Sequence, residues 1–376
     1  MTIYENNKQL LTTIGGNADN YSTDYEVRKA ILDALGGDSS MCSNIYEVDL
    51  QILKIFQEGG GAGGGEKVKV SSLKVNDGCI VDGYWPAEVI DVSNVSSLTS
   101  CFNDCQSLKK IDLSLWDVSN VTNMNIMFYN CYNLEEIGDV SLWNTSKLTK
   151  FENIFDQCIR LKQLDLSLWD VSDIKSFKRL FYNCQSLQSV GDLSNWDTSS
   201  VTNFYGLFYN CQSLQSVGDL SNWDVSNATT FESMFGQCKL LQTLDLSGWI
   251  TENVSDMRYM FSGCSSLQTL DLSGLDVGNV SSVLLIFNGC INLKTLIGGK
   301  NIDEVISNNI NAFVGLKVNL QLIPTIIDRA SLRAIINGIA DLTGSETQTL
   351  SLGAVLTAKL TEEDIAIATS KNWTIS

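Results

Sequence analysis

The groups with the most chemistry in this chain are eleven cysteines and 43 acidic side chains, and none has a histidine to work with, because the 376 residues contain none. Without histidine the commonest general base and the commonest metal ligand are both missing, which excludes hydrolase triads and zinc sites that use it. Cys131, at the end of the segment WDVSNVTNMNIMFYNC, is then a nucleophile or metal ligand lacking that partner, or a packed sulfur. Repetition favours packing. Cys105, Cys131, Cys158, Cys184, Cys211, Cys238, Cys264 and Cys290 recur at steps of 26 or 27 residues, each among apolar neighbours. Cys101 and Cys105 stand one helical turn apart, an awkward geometry for a disulfide. These sulfurs are read as small apolar filler.

Asp112, Asp139, Asp165, Asp192, Asp219, Asp245 and Asp271 follow the same clock and form the candidate binding column. Stacked parallel strands would bring them to a spacing of roughly 4.8 Å. Like charges at that distance repel by about 1 kcal/mol even in water. Compensation must come from serine hydroxyls, backbone NH groups, bound cations or a basic partner. Two readings stay open: hydrogen-bonded turn support within each repeat, or a face that binds a cation or ligand. Trp116, Trp143, Trp169, Trp196, Trp223 and Trp249 also recur, either as core aromatics at a strand-to-turn corner or as sugar-stacking platforms. A function of the repeat itself would lie on solvent-facing residues such as Lys110, Asp112 and Ser114.

Two periodicities predict the elements that position these groups. Val121, Met124, Met127, Phe128, Cys131 and Leu134 are spaced 3, 3, 1, 3 and 3 apart, which predicts a short helix with one apolar face. The preceding Asp117-Val-Ser-Asn run supplies turn and capping oxygens. Leu164 and Leu166 alternate with polar residues, the mark of a short strand with one buried face. A strand, a turn and a helix every 26 residues cannot bury their apolar face alone, so neighbouring repeats must stack and pair their strands in parallel. The 27-residue repeats carry one extra glycine, Gly138, Gly191 or Gly218, which reads as a bulge. The fold class is therefore α/β, a repeat solenoid of about eight rungs.

Outside the repeats, residues 1–58 show two short helix patterns, the second carrying Ile45, Val48, Ile52, Ile55 and Phe56 before a glycine stop. Two such helices hold too little core to stand alone, so they read as an anchor that docks on a partner or self-associates. A GGGAGGG run makes 59–66 a flexible linker, 67–300 the repeat domain and 301–376 a set of atypical capping repeats with helices near 328–340 and 361–368. A net charge of -18 and a pI near 4.3 exclude a nucleic-acid partner, which needs a basic surface. No run approaches the roughly 20 apolar residues a bilayer requires, so no membrane insertion is expected. The first residues lack the basic start and apolar stretch of an export signal.

The unit L-x-x-L-D-L-S-x-W-D-V-S-N-V-T-N-M-x-x-M-F-x-N-C resembles the repeat of BspA-like leucine-rich repeat proteins. The resemblance spans all eight repeats and implies a leucine-rich-repeat solenoid with a role in adhesion or recognition at a bacterial surface. The segment ILDALGGDSSMCSNIYEVDLQILKIFQEGGG is similar to leading segments of virion proteins in phages of Bacteroides-type bacteria. That similarity implies assembly with other virion proteins, display at the virion surface and no need of an export signal. The expectation is a non-enzymatic phage fibre or capsid-decorating protein, possible as a homo-oligomer, that contacts host-surface protein or glycan. No cofactor or metal is expected. The alternatives are a bacterial BspA-like surface adhesin and, remotely, a carbohydrate-active enzyme working through paired carboxylates.

Overall fold

A computed structural model describes residues 68–80, 82–85, 87, 90–281, 284–297, 320–323, 329–339 and 341–376. The chain divides into two compact units between Asp173 and Ile174. The expected anchor, with Ile45, Val48, Ile52, Ile55 and Phe56, and the glycine linker lie outside the described residues.

Both units are built by parallel pairing of one repeat on the next. In the first, β1 (Val68–Lys69) pairs in parallel with β2 (Ile90–Asp91), and bridges link Tyr84 to Lys110 and Lys110 to Glu136. A second line of parallel bridges joins Ser97, Asn123 and Lys150. In the second unit, Ser176, Asn203, Thr230 and Asp256 form the corresponding line. There β3 (Thr243–Asp245), β4 (Thr269–Asp271), β5 (Thr295–Ile297), β6 (Leu320–Ile323), β7 (Gln348–Ser351) and β8 (Trp373–Ile375) make a six-stranded parallel sheet in chain order. Leu244 pairs with Leu270 and Leu270 with Leu296, one repeat apart and in register. Alternation holds along β3, with Leu244 buried between exposed Thr243 and Asp245.

The short helix expected in each repeat is not formed among the described residues 90–297; turns take its place. Consecutive NH groups there are committed alternately to different partners. Cys101, Asn103 and Cys105 close turns onto the carbonyls of Leu98, Ser100 and Phe102. Ser100, Phe102 and Asp104 between them donate instead to Asn125, Met127 and Tyr129 of the next repeat. The second unit repeats this with Leu180, Tyr182 and Cys184 against Arg179, Phe181 and Asn183. Two residues per repeat, four apart, adopt positive φ, such as Ile126 at 51° and Asn130 at 61°. A left-handed residue breaks an α-helix, yet each three-residue turn returns its apolar side chain to the inside. The 3, 3, 1, 3 spacing thus arises from a ladder of turns.

Phe102, Phe128 and Phe155 stack at 5.1 and 5.7 Å in the first unit, and Phe181, Phe208, Phe235, Phe261 and Phe287 continue such a column in the second. Gly138, Gly191 and Gly218 have φ of 79°, 84° and 83°, the left-handed geometry expected of the inserted glycines. At Gly138 a Cβ would run into the Asp112 carboxylate.

The end of the second unit holds α1 (Arg329–Gly338), α2 (Ala354–Thr357) and α3 (Glu362–Ser370), the first and last where the apolar pattern places them. Thr361 caps α3 in a reciprocal box with Asp364. Lys371 donates its Nζ to the carbonyls of Ile336, Asn337 and Ile339, closing the carboxyl end of α1.

Candidate functional site

Each aspartate of the series has a turn to hold, in the first unit as in the second. Asp245 stands opposite Asp271 across the β3/β4 pair. Every Oδ1 accepts the backbone NH of the serine two residues on: Asp112 from Ser114, Asp139 from Ser141, Asp165 from Ser167 and Asp192 from Ser194, each at 3.0 Å. Asp219, Asp245 and Asp271 do the same with Ser221, Ser247 and Ser273 at 2.8 to 2.9 Å. The Ser141 hydroxyl also donates to Asp139 at 2.7 Å, and these bonds hold the Asp139 carboxyl below its ordinary range. Asp219 is lowered for the same reason by Ser221. A second set of aspartates, Asp117 and Asp170 in the first unit and Asp197 and Asp224 in the second, accepts from Ser119, Ser172, Ser199 and Ser226 in the same way. Among the described residues no cluster of three or more His, Cys, Asp or Glu side chains is placed to hold a metal ion.

The cysteines are buried and free of disulfides among the described residues, but they are more than filler. Cys131, Cys158, Cys211, Cys238, Cys264 and Cys290 each donate Sγ–H to a phenylalanine carbonyl one repeat back, at 3.0 to 3.2 Å. Burial pushes the Cys264 thiol up to about 12, so it is no thiolate nucleophile near neutrality. The tryptophans are core residues too. Trp116, Trp143, Trp169, Trp223 and Trp249 are buried and donate Nε1–H to carbonyls of the preceding repeat at 2.7 to 3.2 Å. Trp143 stacks on Trp169 at 5.6 Å, Trp223 on Trp249 at 6.4 Å and Trp116 on Phe102 at 6.1 Å, so these buried faces are closed to sugars.

What the repeats do leave accessible is on the turn ladder and at the corners. In the first unit Leu115, Leu142 and Leu168, one per repeat ahead of the buried tryptophan, are exposed, Leu142 by 83%. In the second unit the residue after each column phenylalanine runs Tyr182, Tyr209, Gly236, Ser262 and Asn288. Tyr182 stacks on Tyr209 with centroids 4.6 Å apart, and the Arg179 guanidinium lies 3.9 Å over the Tyr182 ring. The aromatic column then stops at Gly236, where a Cβ would come 3.0 Å from the Tyr209 ring and 3.1 Å from the Tyr259 carbonyl.

Beside this interruption lies an open groove of about 360 Å³, lined by Tyr209, Tyr259, Leu285 and a set of neutral polar side chains. Ser233 and Ser262 are nearly buried, and Gln237 and Asn288 are partly exposed. Glu232 borders the groove with its carboxylate 3.1 Å from Arg258 Nη2, and Arg258 also grips Asp256 at 2.7 to 3.1 Å. These two carboxylates raise the Arg258 guanidinium above its ordinary value. Sequence reasoning missed the groove, because its signal is a residue that fails to recur. FYNC at 181–184 and 208–211 becomes FGQC at 235–238 and FSGC at 261–264.

The family model described as "Mycoplasma protein of unknown function, DUF285" matches residues 96–216 and 187–300, together more than half of the chain. No curated protein matches. A leucine-rich cell surface protein from Faecalibacterium prausnitzii A2-165 is similar at 17% identity over 76% of this chain and 78% of its own, with a TM-score of 0.28. The functional domain of InlJ from Listeria monocytogenes, which includes a cysteine ladder, is similar at 13% identity over 76% and 73%, with a TM-score of 0.17. At these scores neither superposition carries an argument about this chain.

Proposed function

The chain belongs to the DUF285 family, and from that premise we propose that it is a non-enzymatic recognition protein whose leucine-rich repeats present a binding surface at the outside of a bacterial cell. The observation that carries this reading is the division of labour within each repeat. Cysteine and tryptophan are consumed by holding one repeat on the next, and the aspartates by holding a turn within their own repeat through the serine two residues on. The residues left to vary, such as Tyr182, Tyr209, Gly236, Ser262 and Asn288, lie on the turn ladder, and the exposed leucines of the first unit add an apolar stripe. A scaffold that repeats its interior contacts and varies its turn ladder suits contact with a protein or glycan of a host surface.

The adhesin reading takes precedence over the virion reading, whose support is the resemblance of residues 1–58. Two measurements separate them. Antibody to the full chain should label intact cells of the organism that makes it, and purified phage particles should lack it by mass spectrometry. Immobilised full chain should retain host-surface glycoprotein, and absence of retention across a panel of host-cell membranes counts against recognition. Incubation with capsular polysaccharide should leave chain length unchanged; shortened chains would establish an enzyme.

A further inference from the structure

We propose that the groove beside Gly236 is a saccharide subsite that takes one pyranose ring of a neutral glycan against Tyr209. The inference rests on the recognition reading above and gives its second unit a ligand class. The argument starts from the aromatic column. Tyr182 stacks on Tyr209, the next repeat brings only the backbone of Gly236 to the Cδ2–Cε2 side of the Tyr209 ring, and Tyr182, Tyr209 and Tyr259 all line the groove. A Cβ at this position would press on both Tyr209 and the Tyr259 carbonyl, at 3.0 and 3.1 Å, so a side chain here would require its neighbours to shift.

The remaining lining decides the chemistry. An aromatic ring attracts the CH face of a sugar, while the hydroxyls around that face need a ring of donors and acceptors. Ser233, Ser262, Gln237 and Asn288 supply both, all uncharged, around the same 360 Å³. The one carboxylate at the rim, Glu232, is already paired with Arg258. That pairing leaves it able to accept from hydroxyls but weakens it as a partner for a cation, so a quaternary ammonium fits less well than a sugar. With one ring held, affinity per site is expected near Kd of about 1 mM, the range in which repeated weak contacts add up on a glycan-bearing surface.

Saturation-transfer NMR on the full chain tests this, with the methyl glycosides of glucose, galactose, mannose and N-acetylglucosamine and with tetramethylammonium as probes. Transfer to the ring CH protons of at least one glycoside is expected, reduced about fivefold or more in Tyr209→Ala and in Tyr259→Ala and unchanged in Tyr132→Ala of the first unit. Should Tyr209→Ala fail to fold by circular dichroism, Tyr259→Ala and Gln237→Ala decide. No transfer to any glycoside, equal transfer in folded groove variants, or transfer to tetramethylammonium alone overturns the proposal. Adhesion to host membranes that survives Tyr209→Ala, with no glycoside bound, overturns the subsite while leaving the recognition reading intact. Glycoside binding without adhesion does the reverse.

Discussion

Cys264 shows what a repeated residue is asked to do. Its thiol is enclosed and donates to the Phe235 carbonyl at 3.1 Å, so it is both a small apolar volume and a hydrogen-bond donor. Cys264→Ala removes the donor together with one buried atom, and should cost about 1 kcal/mol more in denaturant unfolding than the loss of a filler sulfur alone. The thiol also sets a pH response. In the unfolded chain it ionises near 9.0, and in the folded chain at about 12. Below 9.0 both states hold the proton, and stability is full. Between these values only the unfolded state releases it, so stability falls by about 1.4 kcal/mol per pH unit for each such cysteine. Cys211, Cys238 and Cys290 are raised by burial as well, which makes a steep alkaline loss the expected result of melting curves from pH 8 to 11. Gly138→Ala places a Cβ against Asp112 at a φ of 79° and should cost about 1 to 2 kcal/mol or more.

At the scale of the element, the turn ladder explains which parts of the fold were legible. The parallel stack, the inserted glycines and the helices near 329 and 362 follow from the 26- and 27-residue clock, from a glycine that lengthens some repeats, and from the 361–364 capping pair. The repeat helix did not follow, because a turn closing three residues back and a helix both put residues such as Val121, Met124 and Met127 on one side. Only the left-handed residues distinguish them, and at Ile126 a β-branched residue occupies that position at φ 51°. Ile126→Gly should therefore stabilise the first unit by up to about 1 kcal/mol, once the strain relieved exceeds the entropy that glycine loses. A helix at this place would make the same change destabilising, and chemical denaturation reads the sign. The groove escaped sequence reasoning for a related reason: Gly236 is legible as a gap only after Tyr182 and Tyr209 are seen to stack. The series from Asp112 to Asp271 was half legible. Its spacing was clear and hydrogen-bonded turn support was one of the two readings left open, while the particular partner, the NH two residues ahead, had to be seen. Asp117, Asp139, Asp219 and Asp224 are lowered by their serines, so this stabilisation is present above the ordinary carboxylate range and is lost as pH falls through the lowered values.

For the molecule as a whole, charge is the term that the repeats leave uncompensated. A net charge of -18 is spread over a chain whose repeats place like carboxylates one above another, as Asp245 is above Asp271. Among the ion pairs that cross between repeats, Lys110 with Glu136 and Lys162 with Glu135 are at the surface and contribute little, and Arg258 with Glu232 is half-buried. Self-repulsion should then outweigh attraction, and screening should stabilise the fold. Raising potassium chloride from 0.01 M to 1 M shortens the screening length from about 30 Å to about 3 Å, below the spacing of neighbouring carboxylates. The melting temperature should rise with salt at pH 7, and rise less in acid, where the net negative charge and the repulsion itself diminish. A protein held together by its ion pairs would show the opposite slope. A flat response would mean that the serine NH groups, which meet every carboxylate of the series, already neutralise it locally, and that the acidic surface is free to serve recognition at no cost to the fold.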